Sequence, residues 1–435
     1  MNMVMLVGII MLLIIVVLLT SNKVYLTVPF TVIPLIAALC LGYSPVEVMG
    51  LIGESLKSTM SGTVMMIVFS MVFFRALAET GFFDFFVYQI VKLTKGNATG
   101  IFLATIVICA IVGITASPST IYIVPIPAML ALYDRYHLDR KILVFLCAMM
   151  MAVVSPLPWS SVTALMETAL NCDQYAGMYG SIPIAIVAFV CTVGCCFYFG
   201  KKYKIDPSEN SGSHDIAIPD PRTVTDRPFY RLNLLWVNLV LFIGCLVVLV
   251  FFRSLSSWFT FMVFLALALV INYPKPDDAR QIYHMTAPAI FNYVAIVLPI
   301  QVLIGVMENT GMTELFVQAI IGAFPGGLAK YIGVVLALLM PIVFYFVPYQ
   351  LYIAMLPFIA GIGAEFGISP AQILALFLVP HWVSKMSSPC VAQTYLGQGL
   401  ANFEINDFVK FTTPLMLIIN TICVIAGLFM GTFGI

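Results

Sequence analysis

Apolar, nearly uncharged runs of membrane-spanning length recur along the chain, at 3–20, 24–42, 61–79, 179–200, 232–252, 257–273, 287–307 and 411–432. A helix crosses the hydrocarbon core of a bilayer with about 20 apolar residues, so each run predicts a transmembrane helix. Two longer apolar stretches, 99–170 and 329–400, are interrupted by Pro, Gly, Ser and Thr. Between the halves lies KKYKIDPSENSGSHDIAIPDPRTVTDRPFYR, residues 201–231, whose Pro, Ser and Asp content predicts an exposed connector. The first twenty residues have no basic leader and no small-residue cleavage site, so they read as a retained span. The predicted fold class is an all-α polytopic membrane protein.

The two halves resemble each other. A constant offset of 230 places Thr80-Gly81 on Thr310-Gly311, Phe86-Val87 on Phe316-Val317, Pro118 on Pro348, Tyr122-Ile123 on Tyr352-Ile353 and Pro127 on Pro357. A later shift to 233 brings Ser155-Pro156 onto Ser388-Pro389. Matching Pro, Gly and Tyr in one register predicts a duplicated chain, with repeats at 1–205 and 232–435 joined by a linker at 206–231.

Each half holds two places where a helix cannot simply continue. Gly113–Thr120 interrupts 101–133, and residues 346–350 interrupt 331–361. Ser155–Ser161 interrupts 142–170, and Lys385–Pro389 interrupts 371–400. Non-helical backbone at membrane depth is tolerated where it is buried in protein or lines a cavity. Reading the first interruption of each half as the tip of a re-entrant hairpin, about 101–133 and 331–361, and the second as a break within a crossing gives five net crossings per half. An odd number inverts the second repeat. Lys23, Lys92, Lys95, Arg135, Arg140, Lys141, Lys201, Lys202 and Lys275 then share one side with most other basic residues, while Lys57, Arg253 and Lys330 face the other. Positive charge concentrates in cytoplasmic loops, which puts the linker inside, both termini outside, and the protein in the cell membrane as a multi-pass protein.

Composition supports this reading. The 435 residues are 62% hydrophobic and 9% charged, which excludes a soluble globular domain. Lys+Arg equals Asp+Glu at 20 each, so nothing points to nucleic acid, and lipid is the expected surrounding partner. The ten Cys lie mostly in apolar runs and the four His are scattered, which predicts neither a disulfide framework nor a metal site. No cofactor is expected beyond a coupling ion, H+ or Na+.

Broken helices aim backbone amides at anions and free carbonyls at cations, so the interruptions are the candidate site. The side chains placed for substrate are Ser117, Pro118, Ser119 and Thr120 in the first, Trp159, Ser160 and Ser161 in the second, Tyr349 and Gln350 in the third, and Lys385, Ser387, Ser388, Gln393 and Thr394 in the fourth. Thr115, Ser117, Ser155, Ser160 and Ser388 are placed for the coupling cation. Hydroxyls and amides suit a carboxylate ligand and a sodium ion dressed by carbonyls, whereas a dehydrated divalent cation wants carboxylate oxygens. Lys385 is the most informative charge, because an ionisable group inside a span is costly and usually functional. It reads as a counter-charge for a substrate carboxylate or as an ammonium in the place of a coupling cation. Snorkelling, or pairing with Glu167, is the structural alternative. His381 shares its helix face, Arg75 and Glu79 have ion-pair spacing, Glu308 is expected near an interface, and Glu167 toward the outer vestibule.

The stretch Arg75–Leu170, with ETGFFDFFVYQIVKLTKG, SPSTIY, PAMLALYDRY and VVSPLPWSSVTA, resembles the metal-citrate/proton symporter family of the ion transporter superfamily. So does the C-terminal part, with ENTGMTELFVQAI, YIAMLPFIAGIGAEFGISPAQI and SSPCVAQTYLGQGL. The resemblance implies inverted repeats, paired hairpins in a mobile transport domain, a dimerising scaffold and an elevator-like displacement. It also exposes departures: Thr115 and Ser117 stand where the family carries acids, Val347-Pro348-Tyr349 where it carries a Ser-Asn-Asp-like segment, and Lys385 where it commonly carries His. Fewer acids and an added cation favour a free anion.

The expected function is therefore a secondary active transporter of a small organic acid, a di- or tricarboxylate, coupled to H+ or Na+. Divalent metal-citrate/H+ symport and transport of an amino acid or other small solute are the alternatives. A channel is disfavoured by the absence of a carbonyl-filter repeat or acidic ring. An enzyme is disfavoured by the absence of H-E-x-x-H, paired intramembrane Asp or a Ser nucleophile with a base.

Overall fold

The computed structural model describes all residues except 1–2, 22, 26, 93–96, 116–117, 204–220, 224–226, 253, 346–348, 387 and 389–390. Among the described residues the regular structure is helical throughout. The first half runs α1 (Met3–Ser21), α2 (Thr27–Cys40), α3 (Pro45–Thr59), α4 (Met65–Glu79), α5 (Phe82–Lys92), α6 (Ala98–Gly113), α7 (Thr120–Ile123), α8 (Pro125–Arg135), α9 (Arg140–Val154), α10 (Ser161–Ala169) and α11 (Gln174–Lys202). The second runs α12 (Leu235–Phe251), α13 (Ser257–Asn272), α14 (Pro276–Asn309), α15 (Met312–Ala323), α16 (Ile332–Val343), α17 (Tyr349–Glu365), α18 (Pro370–Lys385), α19 (Ala392–Ala401) and α20 (Ile405–Phe429).

Local chemistry sets many of these boundaries. Ser44 with Glu47 and Ser369 with Gln372 form reciprocal capping boxes ahead of Pro at the first helical position of α3 and α18. Asn97, Asp139 and Asp173 cap α6, α9 and α11 through their side-chain oxygens. Boundaries recur in the register seen in the sequence: α6 and α16 end at Gly113 and Val343, α8 and α17 at Arg135 and Glu365, and α9 and α18 begin at Arg140 and Pro370.

Two elements run longer than their apolar cores. A five-residue π segment, Met60–Val64, joins α3 to α4 without a gap, so the expected span 61–79 is the second part of a helix that begins at Pro45. The expected span 287–307 lies within the 34 residues of α14. Five helices among the described residues are long and apolar enough to cross a membrane, and α1, α2, α6 and α13 supply shorter apolar helices.

The deepest part of the structure is the pair α9 and α18. Every residue from Ile142 to Ala152, and from Ile373 to Lys385, is buried. A helix surrounded on all sides belongs to a core, and α6, α11, α16 and α20 pack around these two. A second group, in which α13 packs on α4 and α14 on α2 and α3, stands beside it.

The start of the second half is tied to the first by polar contacts. Asn238 of α12 and Asn272 of α13 exchange amide hydrogen bonds of 3.0 and 2.8 Å, and Asn238 also donates to Thr80 Oγ1 at 3.3 Å. The connector is expected to be exposed, and at its described end Arg227 and Pro228 are, while the residues after them dock against the first half. Phe229 is buried, Arg227 pairs with Asp84 at 2.8 Å, and the Arg231 amide donates to the Thr80 carbonyl at 3.0 Å. The aromatic and arginine side chains that follow its polar centre have a partner in the Thr80–Asp84 corner. Replacing Asn272 with Leu should cost about 1–2 kcal/mol, because it strands the buried Asn238 amide. The double Leu variant should recover most of this loss in a detergent melting experiment; a double variant as unstable as the single would discount the pair.

Candidate functional site

The two breaks are built alike. At the first, α9 ends at Val154, Ser155 Oγ donates to the Ala152 carbonyl at 2.7 Å, and Thr163 Oγ1 of α10 donates to the Ser155 carbonyl at 2.5 Å. At the second, α18 ends at Lys385, and Thr394 Oγ1 of α19 donates to the Ser388 carbonyl at 3.1 Å. Each break also reaches the preceding interruption in its own half of the chain. Trp159 Nε1 donates to the Ile114 carbonyl at 2.7 Å, and Ser388 Oγ to the Phe344 carbonyl at 2.6 Å. Ile114 and Phe344 occupy equivalent positions in the 230-residue register. These side-chain donors satisfy carbonyls that the interrupted helices release.

Around the second break the polar candidates converge. Lys385, 2% exposed, sits at the C-terminus of α18, where helix carbonyls favour a cation. Its Nζ lies 4.5 Å from the Trp382 ring centroid, a cation–π distance. Tyr122, Ala148, Met386, Val391, Gln393 and Thr394 complete the walls of a cavity of about 10 Å3, room for about one water molecule. No ion pair joins Lys385 to Glu167 among the described residues. His381, one turn back and fully buried, packs edge-on to Phe344 with centroids 5.1 Å apart and stacks on Tyr352 at 6.0 Å.

Around the first break stand Thr115, Ser155, Trp159 and Ser160, all buried. Thr115 Oγ1 donates to the Val112 carbonyl at 2.8 Å. A hydroxyl that donates in this way keeps its lone pairs for a cation. Ser160 Oγ is sealed from solvent with no hydrogen-bond partner among the described residues. Ser161 opens α10 half-buried, and Thr120 and Pro118 are half-buried at the start of the return limb, while Ser119 is exposed. Ser117 and Ser387 lie outside the described residues, as do the side chains of Tyr349 and Gln350. The last two begin α17, so the helical limb starts inside the interruption read from sequence. Helices α8 and α17 run to Arg135 and Glu365, slightly past the ends expected for the hairpins.

Five wall residues of the small cavity, Tyr122, Ala148, Trp382, Met386 and Val391, were not singled out as candidates. Tyr122 carried one signal, its register match to Tyr352. The larger feature that sequence reading missed is a second cavity of about 550 Å3 between α3, α10 and α14, where Glu54, Glu167, Asp173 and Glu308 contribute carboxyl groups. Its lining contains no Lys or Arg. Ser55 Oγ donates to Gln301 Oε1 at 2.5 Å across it, and the Thr63 and Thr168 hydroxyls meet at 2.9 Å. Arg75 and Glu79 form their local pair at 2.9 Å, away from both cavities.

Comparison with known proteins points in one direction. The family described as Citrate transporter matches residues 4–379. A Bacillus subtilis (strain 168) protein named Citrate transporter is 26% identical over 428 residues, covering 98% of each chain. The Mg(2+)/citrate complex secondary transporter of the same organism is 24% identical over 436 residues, again covering 98% of each. Among solved structures, the YdaH transporter of Alcanivorax borkumensis superposes with a TM-score of 0.63 at 14% identity, covering 100% of this chain and 99% of the other. MtrF of Neisseria gonorrhoeae, from a class of antimetabolite efflux pumps, gives 0.61 at 12% identity, covering 98% and 95%. These two likenesses establish a shared fold.

Proposed function

The chain belongs to the citrate transporter family, and from that premise we propose that it is a secondary active transporter of citrate or a closely related di- or tricarboxylate, driven by H+ or Na+. The observation that carries this reading is Lys385, a buried lysine held where α9, α18, α19 and the return limb of the first hairpin meet. A carboxylate brought there gains a charge-assisted hydrogen bond. The N-termini of α10 and α19 add oriented amides suited to an anion, and the hydroxyls of Thr115, Ser155, Ser160 and Ser388, with the carbonyls beside them, suit a coupling cation. Ser119, Thr120, Gln393 and Thr394 would contact the remaining substrate oxygens. The small cavity fits an occluded arrangement, which substrate enters after the hairpins and broken crossings separate.

In this reading the unit formed by α6–α10 and α16–α19 moves as one body against a scaffold of α1–α4 and α12–α14, in an inverted-repeat, elevator-type cycle within a homodimer. Both termini lie outside and the connector in the cytoplasm. A second reading, symport of a divalent metal-citrate complex, is favoured by the acid-lined, base-free larger cavity, which attracts cations.

Thermal stabilisation of the purified protein decides between them. A ligand at 100 times its dissociation constant adds about 2.7 kcal/mol of apparent stability. Citrate should raise the melting temperature without magnesium, and a further rise with sodium would identify that ion as the partner. Stabilisation by citrate only together with magnesium would select the metal complex, and no response to any carboxylate would overturn both.

A further inference from the structure

The larger cavity contains a group to which the transport reading above gives no role of its own. Glu167, near the C-terminal end of α10, is 4% exposed, lines the cavity, and has an Oε1 that is sealed from solvent with no hydrogen-bond partner among the described residues. Its surroundings explain this. Glu167 presses against the bare backbone of Gly177 in α11, where an added Cβ would lie 3.0 Å from Oε1 and 2.4 Å from Leu374 Cδ2. The Gly177 amide is already spent on the Asp173 carbonyl at 2.9 Å. Two further side chains nearby are orphaned in the same way: the Tyr293 hydroxyl of α14 and Nε2 of Gln301, itself 2% exposed and lining the cavity.

The ionisable groups within electrostatic reach of Glu167 are Asp173 and Cys172 at the start of α11 and Tyr293 of α14. Glu54 of α3 and Glu308 of α14 stand on the walls of the same cavity. α17 and α18, which also pack on α10, bring Tyr352, His381 and Lys385, grouped around Phe344 and Trp382, and Glu365, exposed at the far end of α17. None of the groups in reach supplies a positive charge. A buried carboxylate whose Oε1 meets no donor among the described residues is an expensive charge.

Placement makes this a candidate for coupling. α10 is the short second half of the first broken crossing. It lies between the π segment of the α3–α4 helix, through the Thr63–Thr168 contact, and the middle of α14, through Tyr293. π segments in long helices frequently mark functional positions.

We propose that Glu167 is the proton-carrying residue of the transport cycle. It takes one proton from water in the α3–α10–α14 cavity, changing from carboxylate to neutral acid, and gives it to water on the opposite side after α10 has passed Tyr293. The inference rests on the chain being a secondary transporter, and it selects H+ as the coupling ion.

Proteoliposomes loaded and assayed with radiolabelled citrate plus Mg2+ provide the test. The wild-type protein should both exchange citrate and accumulate it down an imposed proton gradient. Glu167→Gln copies the neutral acid and cannot release a proton, so it should keep exchange and lose gradient-driven accumulation. Accumulation by Glu167→Gln equal to wild type, or wild-type accumulation driven by a sodium gradient alone, overturns the proposal. If Glu167→Gln fails to assemble, Glu167→Asp decides. Withdrawing the carboxyl by one methylene should move the pH of half-maximal uptake by about half a unit or more, and an unmoved profile counts against a proton role. A wild-type protein that neither exchanges nor accumulates citrate would instead overturn the substrate reading, leaving the two failures distinguishable.

Discussion

Lys385→Met should weaken citrate binding by about tenfold to a hundredfold, the value of a charge-assisted hydrogen bond of roughly 1.5–3 kcal/mol. Met retains most of the side-chain volume, so the contacts with Trp382, Tyr122 and Ala148 persist and the protein should melt at the same temperature or slightly higher. Removing a buried charge relieves a desolvation cost, so affinity and stability should move in opposite directions. Direct binding of labelled citrate to the detergent-purified variant, read beside its melting curve, gives both quantities. Unchanged affinity would remove Lys385 from the site, whereas parallel losses of affinity and stability would assign it a structural role only.

The second large effect is expected at a glycine corner. Gly81 turns the chain between α4 and α5 with φ +80°, and a Cβ there would lie 2.4 Å from the Tyr230 ring. Gly311 makes the equivalent turn between α14 and α15 with φ +75° and has open space around it. Gly311→Ala therefore bears only the left-handed backbone cost of about 1–2 kcal/mol. Gly81→Ala adds a steric collision with the docked end of the connector and should lose about 2–4 kcal/mol in total. Adding Tyr230→Ala to Gly81→Ala should return the excess, a coupling that a double-mutant cycle measures. Equal melting losses for the two single variants would discount the Tyr230 contact.

Proline placement shows how far local sequence can be read. Pro34, Pro183, Pro288, Pro299, Pro341, Pro357, Pro380 and Pro414 all lie inside helices that continue past them. Pro156 and Pro158 fall in a true break. Proline alone thus does not identify an interruption, because packed neighbours in a membrane protein re-satisfy the carbonyl that it strands. Neighbouring Ser, Gly or Thr does not identify one either, since Gly180-Ser181 precede Pro183 and Thr412-Thr413 precede Pro414 within continuous helices; the breaks are marked by the hydroxyl bonds of Ser155, Thr163, Ser388 and Thr394.

The citrate transporter family was recognisable from motifs spread over both halves, and the match to residues 4–379 agrees with it. Lys385 was legible because one charge in an apolar run is conspicuous. Glu167 was visible as a buried acid, but its cavity was not. The carboxyl groups of that cavity come from α3, α10, the Asp173 cap ahead of α11, and α14, and share no local pattern. Trp382 and Tyr122 read as ordinary core aromatics until the fold set them beside the lysine. The polar start of α14, PDDARQIYHMT, gave no apolar signal, yet its backbone continues the helix once Pro276 has begun it.

By itself, then, the sequence determined that this is a polytopic helical membrane protein, where its helices break, and where an isolated charge lies within an apolar span. Hydropathy, helix-ending residues and lone charges act over a few residues and leave a local record. The tertiary structure decided which interruptions touch, how small the space around Lys385 is, and that Glu167 lies on a cavity wall with an Oε1 that has no hydrogen-bond partner among the described residues. Those properties depend on distances between residues far apart in the chain, set by how the helices pack, and no local pattern encodes them.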